Sequence, residues 1–207
     1  TFLYDVTTDD GYSATGLTGA HTITFPTGTG THNVTITGDF PSMKNSNGND
    51  KSKLLTIDNL GPYGGGSTSQ VRAFSGCDNL VWNALDSGDF SGVTSFGRFM
   101  SFASSLTTFP NIDLSSSTSF NNMFSDASIL TTFPANMFDN CTATNYANAF
   151  FNTNLTTQSI DNILVSIVAS GVSGGSFTQS GGQAPSATGL AAKDTLVADG
   201  WTIVYTS

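Results

Sequence analysis

Residues 94–110 (TSFGRFMSFASSLTTFP) and 118–134 (TSFNNMFSDASILTTFP) align without a gap and share most of their side chains. Such self-similarity marks a repeat architecture, because a unit of roughly 25 residues cannot bury its apolar face alone and must share it with a neighbour. Weaker copies flank the pair, at 71–80 (VRAFSGCDNL) and 146–157 (YANAFFNTNLTT). Roughly four units therefore follow one another. Within them the apolar residues come in threes: Phe74, Cys77, Leu80; Met100, Ala103, Leu106; Phe124, Ala127, Leu130. A spacing of three and three is one face of a single helical or 3₁₀ turn. Pro110 and Pro134 then push Phe109 and Phe133 into extended geometry. A turn, a short strand and a Ser/Thr-rich return predict a leucine-rich-repeat-like coil, with Phe109 and Phe133 inside it.

Composition narrows the function. Six basic residues stand against fifteen acidic ones, all aspartate, for a net charge of −9. Aspartate without glutamate suits turns and caps rather than long helices. The acidic balance argues against nucleic acid as a partner, and no apolar run is long enough for membrane insertion. The chain begins at Thr1 rather than Met, which leaves processing and truncation both open. Two cysteines are too few for a disulfide framework. Cys77 falls where Ala103 and Ala127 fall in the next units, so a small buried residue is expected there.

The predicted architecture is mixed and β-rich, in three segments. Residues 1–60 read as a small antiparallel β-sandwich-like module, with strands at 2–6, 21–25, 32–36 and 53–57 separated by Gly/Asp clusters. Residues 61–157 read as a short leucine-rich-repeat-like solenoid. Residues 158–207 read as a helix-helix-strand cap over its open end. Ile160, Ile163, Leu164, Ile167 and Val168 carry the helical period, with Thr156 or Thr157 as N-cap and Gly171 as stop. A second helix is expected from Leu190 to about Asp199, after a Gly/Ser loop, and a final strand over 201–205.

The phrases FSGCDNL, MFSDASILTTFP and FPANMFDNC, and the tail from LTTQSIDNILVSI to DGWTIVYT, resemble BspA-type leucine-rich-repeat surface proteins of bacteria and phages. The N-terminal YDVTTDDG and GTGTHNVTITGDF are similar to a PKD or immunoglobulin-like module, without the Trp-Gly-Asp-Gly phrase usual there. The resemblance implies adhesion or structural display, and no catalytic residues.

No nucleophile elbow, phosphate loop, dinucleotide fingerprint or His/Glu metal signature is present. No catalytic residue, cofactor or metal is therefore assigned. His21 and His32 fall in expected strands, and Asp9-Asp10-Gly11 with Asp5 offers hard oxygens of the kind calcium takes but without a full calcium-loop spacing. A glycoside hydrolase needs two placed carboxylates, and no paired-Asp motif appears. The sequence thus points to a non-catalytic structural or adhesive protein. Its predicted place is the virion surface, as a capsid decoration, fibre or tail component binding itself or a capsid or tail protein. The alternative is a domain of an extracellular bacterial adhesin that binds a host receptor. Inner positions are used up by packing, so the interaction surface is predicted at the off-register aromatics Phe96 and Phe102 and on the strand residues Asn111 and Asp113.

Overall fold

The computed structural model describes residues 2–44 and 50–206. Among the described residues eight short strands form three small sheets, accompanied by two α-helices. The first sheet joins β1 (Tyr4–Thr8), β2 (Ser13–Leu17) and β3 (Val34–Gly38), antiparallel in the order β2-β1-β3. It is a single layer, not a sandwich. Tyr4 and Val6 bury one face, and Tyr4 meets Phe40 at 5.1 Å, which meets Tyr63 at 5.8 Å. Residues 21–25 are not a strand, whereas Ser13–Leu17 is one. The second sheet is the parallel pair β4 (Thr56–Ile57) and β5 (Val81–Trp82).

The repeats do not form a leucine-rich-repeat solenoid. Among the described residues between β5 and β6 (Asn145–Phe150) no strand is present, only isolated parallel bridges: Ser69–Ser95, Ser95–Ser119, Thr108–Thr132 and Ser119–Asn145. What the threefold spacing encodes is a run of four-residue turns. Cys77 N donates to Phe74 O and Leu80 N to Cys77 O; Ala103, Leu106, Ala127 and Leu130 repeat the pattern. Alternate backbone amides are then left to point along the stack. Gln70, Arg72, Phe74 and Gly76 donate to the carbonyls of Ser95, Gly97, Phe99 and Ser101. Phe96, Arg98, Met100 and Phe102 donate to Ser119, Asn121, Met123 and Ser125, and Phe120, Asn122, Phe124 and Asp126 to Asn145, Ala147, Ala149 and Phe151. These bonds are 2.7–3.1 Å long. Buried backbone groups must be paired somewhere, and here turns from successive repeats pair with one another.

Aromatic rings fill the interior. Phe74 and Phe99 lie 5.3 Å apart, Phe109 and Phe124 4.8 Å, and Phe109 stacks on Phe133 at 6.0 Å and 7°. Phe124 stacks on Phe150, which meets Phe177 in the next segment. Full burial of such a ring is worth about 1.5–3 kcal/mol, with edge or offset pairing adding about 0.5–1.5 kcal/mol. One core cluster runs from Tyr63 to Trp201.

The C-terminal segment also departs from the expected cap. α1 (Thr157–Ala169) starts at Thr156, whose hydroxyl accepts from Ser159 N, and buries Ile160, Ile163, Leu164 and Ile167. α2 spans Ala187–Ala198. Between them lies β7 (Ser176–Ser180), which pairs in parallel with both β6 and β8 (Thr202–Thr206). The tail is thus strand–helix–strand–helix–strand with β6 as its first strand, where a loop and a single terminal strand were expected.

Candidate interaction surface

The turns dictate what reaches the surface. In the first two turns of each run the third residue has positive φ, the place where type II turns require it, whereas the last turn of the run (Cys77–Leu80, Ala103–Leu106, Ala127–Leu130) does not. Two columns of such residues run along the stack: Arg72, Arg98, Asn122, Asn148 and, four residues on, Gly76, Phe102, Asp126, Asn152. Glycine and asparagine tolerate that backbone; arginine and phenylalanine do not favour it. Phe102 has φ 61° and is 57% exposed, and its ring contacts no other ring among the described residues. In the next unit Asp126 accepts from Ser125 Oγ (2.9 Å) and from Asn152 Nδ2 (2.9 Å), and Phe151 beyond it is 43% exposed. Phe102 and Phe151 are thus two exposed aromatics beside polar turn residues.

Phe96 is not exposed with them. It is fully buried, stacked 6.2 Å from Phe120 and edge-on to Phe99 at 5.2 Å, so no partner can reach it as the chain is folded. Gln70, Phe96, Phe120 and Tyr146 form a second inward column, the first donor of each turn run. Asn111 and Asp113 are exposed and line an open groove of about 320 Å³ with Ser87, Asn136, Asn140 and Cys141. The groove is separate in sequence from Phe102, and no contact joins the two. Cys141 is buried at the groove floor, and its Sγ donates to Leu114 O at 3.0 Å. Burial pushes its thiol up to about 12, helped by the carboxylates of Asp113 and Asp139.

Asp9, Asp10 and His32 bring ligand-type atoms within 4.8 Å of one another. Asp10 is already committed. Its oxygens accept from Thr8 Oγ1 (2.5 Å), Thr27 N (3.2 Å) and Thr27 Oγ1 (3.0 Å). Desolvation works upward on its carboxyl, but these hydrogen bonds and His32 together hold it below the ordinary value. His32 Nδ1 lies 3.3 Å from Asp9 Oδ1, and its ring stacks on Phe25 at 4.6 Å. Asp5 accepts from Gly16 N at 2.8 Å, and His21 pairs with the Tyr12 hydroxyl. These groups pin the loop after β2 onto the sheet.

The repeat register already set the arginine pair at equivalent positions, since the offset that matches Phe74, Cys77 and Leu80 to Met100, Ala103 and Leu106 also matches Arg72 to Arg98, but sequence reasoning did not single it out. Arg72 and Arg98, the only two arginines of the chain, occupy one column on neighbouring turns, with Arg72 N donating to Gly97 O at 3.0 Å. Among the described residues neither makes an ion pair. No helix among those residues is long and apolar enough to cross a membrane. No protein-family model, curated protein or solved structure matches the chain.

Proposed function

We propose that the chain is a non-catalytic structural or adhesive module that works at a surface, as a virion component that holds a copy of itself or a capsid or tail protein. The observation that carries this reading is Phe102. An aromatic ring held out into water on an unfavourable backbone costs stability twice over, and such strain is usually retained for contact rather than for packing. The turn beside it is polar: Phe102 N donates to Ser125 O, and the Ser125 and Asn152 side chains hydrogen-bond Asp126, so an exposed ring next to polar groups offers what an interface anchor needs. The interior supports the same reading, because the inward positions of the repeats are filled by packed rings and leave the turns as the face a partner meets. The test is occupancy on purified particles, read by electron microscopy with the wild-type chain and with Phe102→Asn. Full occupancy of the variant, or absence of the chain from every virion of its source, overturns the proposal.

A further inference from the structure

The chain between β2 and β3, residues 18–33, contains no helix and no strand. A connection longer than about 12–15 residues is uncommon in a compact fold unless it carries a function. Side chains tie this one down. The Tyr4 hydroxyl donates to Gly19 O at 2.5 Å, and the far end of the loop meets the turn after β1, where ligand-type atoms of Asp9, Asp10 and His32 gather within 4.8 Å of one another.

Their spacing is that of metal ligands rather than of hydrogen-bond partners. His32 Nδ1 lies 3.3 Å from Asp9 Oδ1 and 3.7 Å from Asp10 Oδ2. A charge-assisted N–H···O bond closes to about 2.7–2.9 Å, whereas two atoms that each stand about 2.0–2.1 Å from a tetrahedral zinc are about 3.3–3.4 Å apart. The two inner residues are also held in place without the ion, since only 5% of the Asp10 side chain and 12% of the His32 side chain is exposed. Of the roughly four acceptor sites on a carboxylate, those filled on Asp10 by Thr8 Oγ1, Thr27 N and Thr27 Oγ1 orient the group and leave one over. The His32 ring is stacked on Phe25 at 4.6 Å, and its Nε2 is buried without a hydrogen-bond partner. Stacking, and what Nδ1 meets, therefore place that ring. Asp9, with 43% of its side chain exposed, is the open side of the cluster.

We infer that Asp9, Asp10 and His32 bind one divalent cation of the zinc class, which clips the loop onto the first sheet. One imidazole with two carboxylates suits zinc, while calcium takes oxygen ligands alone and a thiolate-seeking ion finds no sulfur here. The two carboxylates balance the charge of the ion, and three protein ligands leave a fourth position to water. An ion that holds only the folded loop stabilises the protein by mass action, and a clip across a long loop removes more freedom from the unfolded chain than one across a short loop. The site is separate from Phe102 and stands or falls without the attachment reading.

The test is calorimetric titration of the chelator-treated full chain with zinc chloride and, separately, with calcium chloride. One zinc per chain is expected, bound more tightly than calcium, with a thermal midpoint that rises as zinc is added. Asp9→Asn and His32→Phe should each weaken zinc binding by about tenfold or more and remove that rise. His32→Phe keeps a ring to stack on Phe25, and Asp9→Asn changes an open side chain, so metal-free midpoints close to wild type show that the variants fold. His21→Phe, which removes the other histidine of the chain, should bind zinc as the wild type does. Zinc binding no tighter than millimolar, undiminished binding in Asp9→Asn, a loss in His21→Phe equal to that in His32→Phe, or calcium held as tightly as zinc overturns the inference.

Discussion

Ser159 stitches the first turn of α1 into the preceding repeat through Phe133: its hydroxyl accepts from Phe133 N at 3.0 Å and donates to Thr131 O at 2.9 Å. A side chain of a helix thereby takes the place that a backbone group takes between the earlier turns. Deeper in the helix Ser166 repeats the device, accepting from Phe138 N at 2.7 Å. The helix is thus bonded to the stack as well as packed on it, which is why the core continues through it without a break.

Ser159→Ala should therefore cost about 1–3 kcal/mol, the penalty for leaving a buried amide unpaired. Urea denaturation measures the loss, and amide exchange at Phe133 should accelerate before global unfolding. A midpoint within error of wild type would show that water or a shifted backbone satisfies that amide.

Leu130→Ala tests the packing of the stack itself. Leu130 is fully buried, and its carbonyl accepts from Asn154 N in the next unit. Truncation should cost about 2–5 kcal/mol, as for other core leucines. Leu106→Ala, at the equivalent place one unit earlier, should cost a similar amount; a tolerant response at either site would mean that the two units do not share one core.

Much of this packing was legible in the sequence, and the reasons differ by element. The gapless match of 94–110 to 118–134 placed Leu106 over Leu130 and Phe109 over Phe133, and those pairs are buried. The i, i+3, i+4 period of α1 is unambiguous because Thr156 caps it and Gly171, at φ 69°, ends it. The threefold spacing was ambiguous, since consecutive four-residue turns and a helical turn bury residues at the same interval. β7 was hidden for a different reason. Its five residues lie between Gly174-Gly175 and Gly181-Gly182, which read as a flexible loop, and what holds it as a strand is pairing on both sides with β6 and β8. Phe96 was misplaced because the repeat has two inward columns, and the triplets such as Met100, Ala103 and Leu106 mark only the one to which Phe96 does not belong.

The Cys141 thiol provides a pH test with a definite sign. Its folded value, about 12, lies above the ordinary 9.0, so the fold favours the neutral thiol. The contribution is fully present below pH 9 and is lost as pH rises through the interval to 12, at up to about 1.4 kcal/mol per pH unit. Thermal midpoints of wild type should fall faster above pH 9 than those of Cys141→Ala. The folded protein should also resist a thiol reagent at pH 8, because the thiolate is the reactive form. Parallel pH profiles, or rapid stoichiometric labelling of Cys141 at pH 8, would count against the burial.

Phe102→Asn separates stability from attachment in one variant. The residue has φ 61° in a column where the chain elsewhere uses Gly76, Asp126 and Asn152, so asparagine relieves a backbone that phenylalanine adopts at a cost of about 1–2 kcal/mol. The exposed ring gives up little packing in exchange. The thermal midpoint should therefore rise, with a gain of up to about 1 kcal/mol, while particle occupancy falls. A variant that is less stable would show that the ring packs in solution, and a variant that is more stable yet attaches normally would remove Phe102 from the interface. Only the combination of higher stability with lost attachment explains why an aromatic residue stands where the fold itself prefers a smaller one.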